Sequence, residues 1–310
     1  MDKYLKLQEY VGLYDSEKDE LAWTRSTPPP FEMHEDTIFV CIDTKVAKND
    51  PHCATEIGIA TFDTRMAAAV PTGKGARSWI RRIDSRHIIV KEHKNTKNAH
   101  DKTAAATNFA FGDSETKRMR SVLAVVKDTM SGLDSQPNGI TKKRNIVLVL
   151  YGAEVHFNSL KHFSKGDPLW TMRIIHTADV QDLCSRANTR TELSKMLKAL
   201  SLPYEDLNNA GNRATHVLQG LLRMIYFDTF CPADFAIRFR HLLRAPKGRP
   251  QVATPPGSDA GVPLNEVVSG LQNLGLSGDG VAAEEDSDEE GEDFIRKAFF
   301  AGGKTRRISF

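Results

Sequence analysis

The chain has 310 residues, 40% of them hydrophobic, enough to bury a core in one large domain or two small ones. Its four cysteines, Cys41, Cys53, Cys184 and Cys231, form no CxxC pair, which excludes a zinc knuckle or disulfide framework as the organising principle and points to a reducing compartment, cytoplasm or nucleus. The formal charge of +2 is uneven, because residues 246–310 hold 7 Lys/Arg against 11 Asp/Glu and leave 35 against 29 on the rest, an excess that permits a polyanionic partner without demanding one.

Residues 1–14 read as an amphipathic helix through Tyr4, Leu5, Leu7, Tyr10, Val11 and Leu13, and Pro28, Pro29 and Pro30 then end regular structure. Residues 1–35 are therefore taken as an N-terminal extension. It lacks an apolar leader-like run, and no stretch approaches membrane-span length, so a soluble protein with no membrane partner is expected. The domain proper, 36–245, opens with Thr37 to Asp43 (TIFVCID), the near-continuous apolar run of a strand buried on both faces. Ala54 to Thr64 reads as its hairpin partner, and 76–93 as one or two further strands before a polar loop to Asn108. Ser114 is the expected N-cap of a helix that carries Met119, Val122, Leu123, Val126 and Met130 and runs to about Leu133. Beyond a breaker segment, Asn145 to Tyr151 and Arg173 to Ala178 read as strands. Helices are predicted over 154–163, 190–200, 211–227 and 232–244. That order suits an α/β sheet with helices on its faces. From Pro246 the composition turns to Pro, Gly, Ser and acid, with AAEEDSDEEGED at 282–293, so a disordered tail, acidic and then basic, is expected over 246–310.

Arg77, Arg81, Arg82, Arg86, Lys91, His93, Lys94, Lys97, His100 and Lys102 crowd into one stretch, which reads either as a solvated charged hairpin and loop or as a phosphate-tracking surface. In the tail, Leu264, Val268, Leu271, Leu274 and Leu276 have the spacing of an export signal or of a short docking helix. Ser287 and Ser309 sit in acid-directed and basic-directed kinase contexts. His156, His162, His176 and His216 lack the paired pattern of a zinc hydrolase, and Gly73-Lys74-Gly75 is too short for a P-loop.

Five strings, FVCIDTK at 39–45, TEIGIATFDT at 55–64, SWIRRIDSRHIIVKEH at 78–93, FAFGDSE at 109–115 and LNNAGNRATHVLQGLL at 207–222, together resemble a fungal family of DEDDh-type, ribonuclease-H-like proteins, the group around the "good for full DBP" protein. The resemblance implies a ribonuclease-H-like mixed sheet flanked by helices and a connection to RNA metabolism. Active members of such a family hold two divalent ions on carboxylates, activating a water and stabilising the leaving oxygen. The implied ligand pattern is Asp-x-Glu on the first strand, a second Asp on a later helix, and His with a third Asp at the last helix.

Measured against that pattern, Asp43 remains, while Lys45 stands for the glutamate, Ser159 for the second aspartate, Asn208 for the histidine and Arg213 for the last aspartate. The expectation is a catalytically degenerate domain without metal or other cofactor, acting as a nucleic-acid module, for single-stranded RNA or DNA and RNA first, or as a protein-binding module. Lys45, Arg81, Arg82, Arg86, Lys91 and Arg213 are the expected nucleic-acid contacts. One alternative is an active 3'-5' exonuclease using Mg or Mn on relocated ligands such as Glu56, Asp63, Glu154 and Asp179. The other is a structural interaction protein without a nucleic-acid role. At the site itself, Lys45 and Arg213 would either contact phosphate or pair with Asp43, the dead site being one in which Lys45 pairs with Asp43.

Overall fold

The computed structural model describes residues 4–22, 24–32, 36–96, 108–135, 141–152, 173–184 and 191–240. The expected helix over 154–163 with its Ser159 and Glu154, the basic residues Lys97, His100 and Lys102, and the expected tail 246–310 lie outside them.

The chain opens with helix α1 (Leu5–Tyr10) and the small ladder β1 (Tyr14–Asp15) and β2 (Glu20–Leu21). The long hairpin β3 (Thr37–Ala47) and β4 (Asp50–Asp63) follows, where the apolar runs placed it. Next come α2 (Thr64–Ala68), a 3-10 turn (Lys74–Ala76), α3 (Arg77–Ile80), β5 (Asp84–Val90) and a 3-10 turn (Lys91–His93). Residues 77–80 are helical rather than extended because Trp79 is fully buried and its indole N–H donates to the Val70 carbonyl at 3.1 Å.

The expected helix from Ser114 begins later than its sequence suggests. Ser114–Lys117 is strand β6, drawn into parallel pairing with β5, and α4 covers Met119–Ser131. The capping role assigned to Ser114 is supplied from outside the helix: the Glu92 carboxylate accepts the Met119 N–H at 3.0 Å. The breaker segment holds a small hairpin, β7 (Leu133–Ser135) and β8 (Thr141–Lys143). Then follow β9 (Asn145–Leu150), β10 (Ile174–Asp179), α5 (Val180–Cys184), α6 (Leu193–Ala199), α7 (Ala210–Phe230) and α8 (Pro232–Arg240). Among the described residues no helix is long and apolar enough to cross a membrane.

Six strands make one mixed sheet in the order β10-β9-β3-β4-β5-β6. One face packs Val40, Ile42, Ile57, Ile59, Ile88, Val90, Ile146, Leu148 and Leu150 against Val122, Val126 and Met130 of α4. Each fully buried aliphatic side chain there contributes about 1.5–3 kcal/mol. The other face carries α7, whose side chains are buried over most of its length, and α1 docks on that helix. Tyr4 donates its hydroxyl to the Leu183 carbonyl at 3.0 Å and Gln8 donates Nε2 to Asp228 Oδ2 at 2.8 Å, so the N-terminal segment is part of the domain's packing.

Candidate functional site

Strands β3 and β9 run parallel, with Cys41 beside Val149, so Asp43 and Tyr151 emerge together at their carboxyl ends. Asp43 is 3% exposed. From the first turn of α7, Arg213 donates its Nε–H to Asp43 Oδ1 at 3.0 Å. Its guanidinium carbon lies 5.7 Å from the centre of the Tyr151 ring. That ring is itself fixed, because the Tyr151 hydroxyl donates to the Thr191 carbonyl at 2.6 Å. The Arg213 side chain keeps 25% exposure and makes no hydrogen bond through its Nη nitrogens, so these two outer nitrogens remain usable as donors. Lys45, two residues along β3 from Asp43, shares that face of the sheet and stands opposite Glu56. It makes no ion pair among the described residues, so of these two cations Arg213 is the one that pairs with Asp43.

The placement of Arg213 follows from how α7 is anchored. Gly58, paired with Asp43 on one side and His87 on the other, lets the helix touch the sheet, since a Cβ there would collide with the Ala210 carbonyl. Glu56, fully buried, accepts the Ala210 N–H at 3.2 Å and meets His87 Nε2 at 3.1 Å. Asn209 caps α7 by accepting the Asn212 N–H on Oδ1 at 3.0 Å, which commits its Nδ2 to donate toward His87 Nδ1 at 3.2 Å. That assignment leaves the imidazole proton on Nε2, facing the Glu56 carboxylate. Ser114 Oγ meets the same Nδ1 at 2.8 Å. Asn212 accepts the Ala110 N–H on Oδ1 at 2.8 Å and donates Nδ2 to the Asn108 carbonyl at 3.0 Å, tying the 109–115 string to the 207–222 string.

These four residues, Glu56, His87, Ser114 and Asn209, were not singled out together from sequence. The available signal was a carboxylate and an imidazole inside otherwise apolar runs, EIGIA and HIIV, where a buried polar group requires a partner.

Of the expected nucleic-acid contacts, the fold gathers Lys45 and Arg213 around Asp43 and sends the others elsewhere. Arg81 is exposed, and Arg82 donates Nη1 to the Ser78 carbonyl at 2.8 Å within its own helical turn. Arg86 points to the α4 side of the sheet and engages Glu115 at 3.0 and 3.1 Å. Lys91 is exposed on the 3-10 turn after β5. Of these, only Arg86 lies on a strand, on the sheet face opposite that of Asp43 and Arg213. Asn208 is exposed in the turn before α7.

The acids weighed as relocated ligands have other work. Asp63 caps α2 through the Arg65 N–H and binds Arg144, and Asp179 accepts the Gly152 and Gln181 N–H groups at 3.0 and 2.9 Å. Burial raises the Asp63 carboxyl, but the Arg65 and Arg144 hydrogen bonds outweigh it and hold the group down at about 2. Among the described residues no three His, Cys, Asp or Glu side chains converge. A pair of divalent ions therefore does not fit the described residues: a guanidinium is bonded to Asp43 where a further anionic oxygen is needed.

The six-stranded mixed sheet, the acid midway along its first long strand and the helix laid across it make a ribonuclease-H-like fold. The family model of the DNA polymerase III subunit epsilon-like, C-terminal domain (DEDDh_C) matches residues 38–224, more than half of the chain, and the chain belongs to that DEDDh family. No sequence match is found among curated proteins. Solved structures similar to it include the nuclease domain of 3'hExo bound to rAMP, at 15% identity and TM-score 0.37, with 63% of this chain and 94% of that one covered. The product-bound structure of exonuclease I is similar at 9% identity and TM-score 0.33, covering 67% and 47%. The Saccharomyces cerevisiae Pan2 pseudoubiquitin hydrolase-RNA exonuclease module, in complex with AAGGAA RNA, follows at 13% identity and TM-score 0.32, covering 75% and 36%. The chain thus spans less than half of the last two.

Proposed function

We propose that this chain is a catalytically degenerate DEDDh domain that binds single-stranded nucleic acid, RNA by preference, at the altered metal site. The observation that carries this reading is the 3.0 Å bond between Arg213 Nε and Asp43 Oδ1. A guanidinium there satisfies the acid that would otherwise hold a cation, and its outer nitrogens suit a phosphate oxygen. With Lys45 on the same face, the pocket favours the phosphodiester backbone over a metal ion. The chemistry assigned to this pocket is retention of the backbone, with no bond broken.

Filter binding of a labelled single-stranded oligonucleotide, repeated over a range of salt, tests the proposal together with an assay for Mg- or Mn-dependent degradation by the pure protein. Binding without degradation is expected, and K45E/R213E should abolish the binding. Metal-dependent degradation lost on Asp43→Asn, or binding indifferent to K45E/R213E, overturns it. A complementary gain-of-function variant, K45E/R213D, should acquire a stabilisation by millimolar manganese that the natural chain lacks.

A further inference from the structure

Ten residues further along α7 from Arg213, roughly 15 Å by helical rise, the same helix carries a second arginine in an unusual setting. Arg223 Nε is buried and makes no hydrogen bond. The glycine loop before α3 closes on it: a Cβ at Gly75 would collide with the Arg223 guanidinium, and the next residue, buried Ala76, is held at a strained φ of 58°. Arg77 on α3 and Arg238 on α8 come from elements packed against α7. Burial first, and then the charges of Arg77 and Arg238, push the Arg223 guanidinium down to about 10.

The partners these arginines do have are neutral. Arg238 donates Nη1 to Ser201 Oγ at 2.8 Å and lies over the Phe227 ring at 5.0 Å. Arg25 donates Nη1 at 2.9 Å to the hydroxyl of Tyr226, the residue whose charge when ionised acts on Arg223. None of Arg25, Arg77, Arg223 and Arg238 forms an ion pair with a carboxylate among the described residues. Three guanidiniums drawn from three segments, that of Arg223 recessed, concentrate positive charge that an anion among them would offset. Elsewhere the fold neutralises its buried arginine: Arg144 meets two aspartates.

We propose that Arg223, Arg77 and Arg238, with Arg25 beside them, form a binding site for a compact multivalent phosphate, such as a pyrophosphoryl or polyphosphorylated small molecule. Arg223 is recessed behind the Gly75 loop, and the convergence of separate segments suits a small group of high charge density better than a polymer tracking across a surface. Guanidinium forks match phosphoryl oxygens pairwise, which adds geometric preference to charge. This site stands apart from the Asp43 pocket and does not depend on the reading given to it.

Tripolyphosphate binding to the full chain, measured by calorimetry at constant ionic strength, tests the site. Arg223→Gln threatens folding, so the deciding variant is R77Q/R238Q, which leaves the recessed guanidinium in place. The natural chain should bind, and R77Q/R238Q should bind about tenfold or more weakly, in keeping with loss of charge-assisted hydrogen bonds. R77Q/R238Q should keep its affinity for a single-stranded oligonucleotide, which separates this site from the Asp43 pocket. No binding beyond that of matched sulfate overturns the proposal, as does undiminished binding by R77Q/R238Q. Arg77-dependent binding of an oligonucleotide without binding of tripolyphosphate overturns it in favour of a surface that follows a polymer backbone.

Discussion

Two arginine-aspartate pairs mark the two ends of the β3-β4 hairpin, and they are built differently. At one end, Arg144, 4% exposed, reaches Asp63 through both Nη atoms at 2.8 and 2.7 Å, the Thr37 carbonyl at 2.9 Å and Asp36 at 3.3 Å. At the other end, Arg213, 25% exposed, spends one Nε–H on Asp43 and rests its plane against Tyr151. The first cation is consumed by the fold. The second is held in place with donors to spare, which is how a binding residue differs from a structural one with the same chemistry.

The sharpest way to break the comparison is Arg144→Met. Removing the buried guanidinium breaks three hydrogen bonds and leaves Asp63 and Asp36 to Arg65 alone, which should cost about 2–4 kcal/mol by denaturant unfolding. A loss no larger than that of Arg213→Gln would erase the distinction between the two ends.

Acid should separate the ends by pH. His216, one turn beyond Arg213, is pushed down to about 4 by burial, with its Gln219 hydrogen bond pulling the other way. An imidazole depressed below its unfolded value near 6.5 favours the folded state above that value, so stability falls as pH drops from about 6.5 to 4, by about 3 kcal/mol in all. Asp63 works in a lower window: its depressed carboxyl supports the fold above the ordinary value near 3.8, and that support is lost as pH falls toward 2. H216Q should flatten the upper window and leave the lower one intact. A stability profile unchanged by H216Q between pH 6.5 and 4 would count against the buried imidazole.

Gly58→Ala probes the seat of the site-bearing helix. The added methyl meets the Ala210 carbonyl, so α7 must lift, at a cost of about 1–3 kcal/mol. Because the lift moves Arg213 away from Asp43, oligonucleotide binding should weaken along with stability. A variant that loses stability and keeps full binding would detach the site from the helix seat.

The sequence made the central layer legible through TIFVCID and NIVLVLY, because strands buried on both faces announce themselves as unbroken apolar runs. Strand β6 was not legible: SETK is short and polar, and it is a strand because β5 offers it an edge, a tertiary cause that outweighs the capping preference of Ser114. The site was half legible. Asp43 and Arg213 could be placed from motif order, yet their bond, 170 residues apart in sequence, depends on how closely Gly58 lets α7 approach. The basic stretch from Arg77 crowds together in sequence but is divided among α3, β5 and the turns that flank β5, a separation that linear spacing does not show.

Arg213→Gln yields the smallest stability effect and the most specific functional one. Asp43 is buried, but Arg213 is a quarter exposed and bonds it once, and glutamine keeps a donor there, so unfolding free energy should fall by about 1 kcal/mol. Binding of single-stranded nucleic acid should weaken at every salt concentration, and the slope of log affinity against log salt should shrink by about 0.7, as expected when one fewer phosphate of a single strand is neutralised. The same substitution at Arg144, which is buried against Asp63, Asp36 and the Thr37 carbonyl, should leave that slope unchanged in whatever fraction remains folded. An unaltered slope in R213Q would show that the guanidinium over Asp43 only seals a disused pocket.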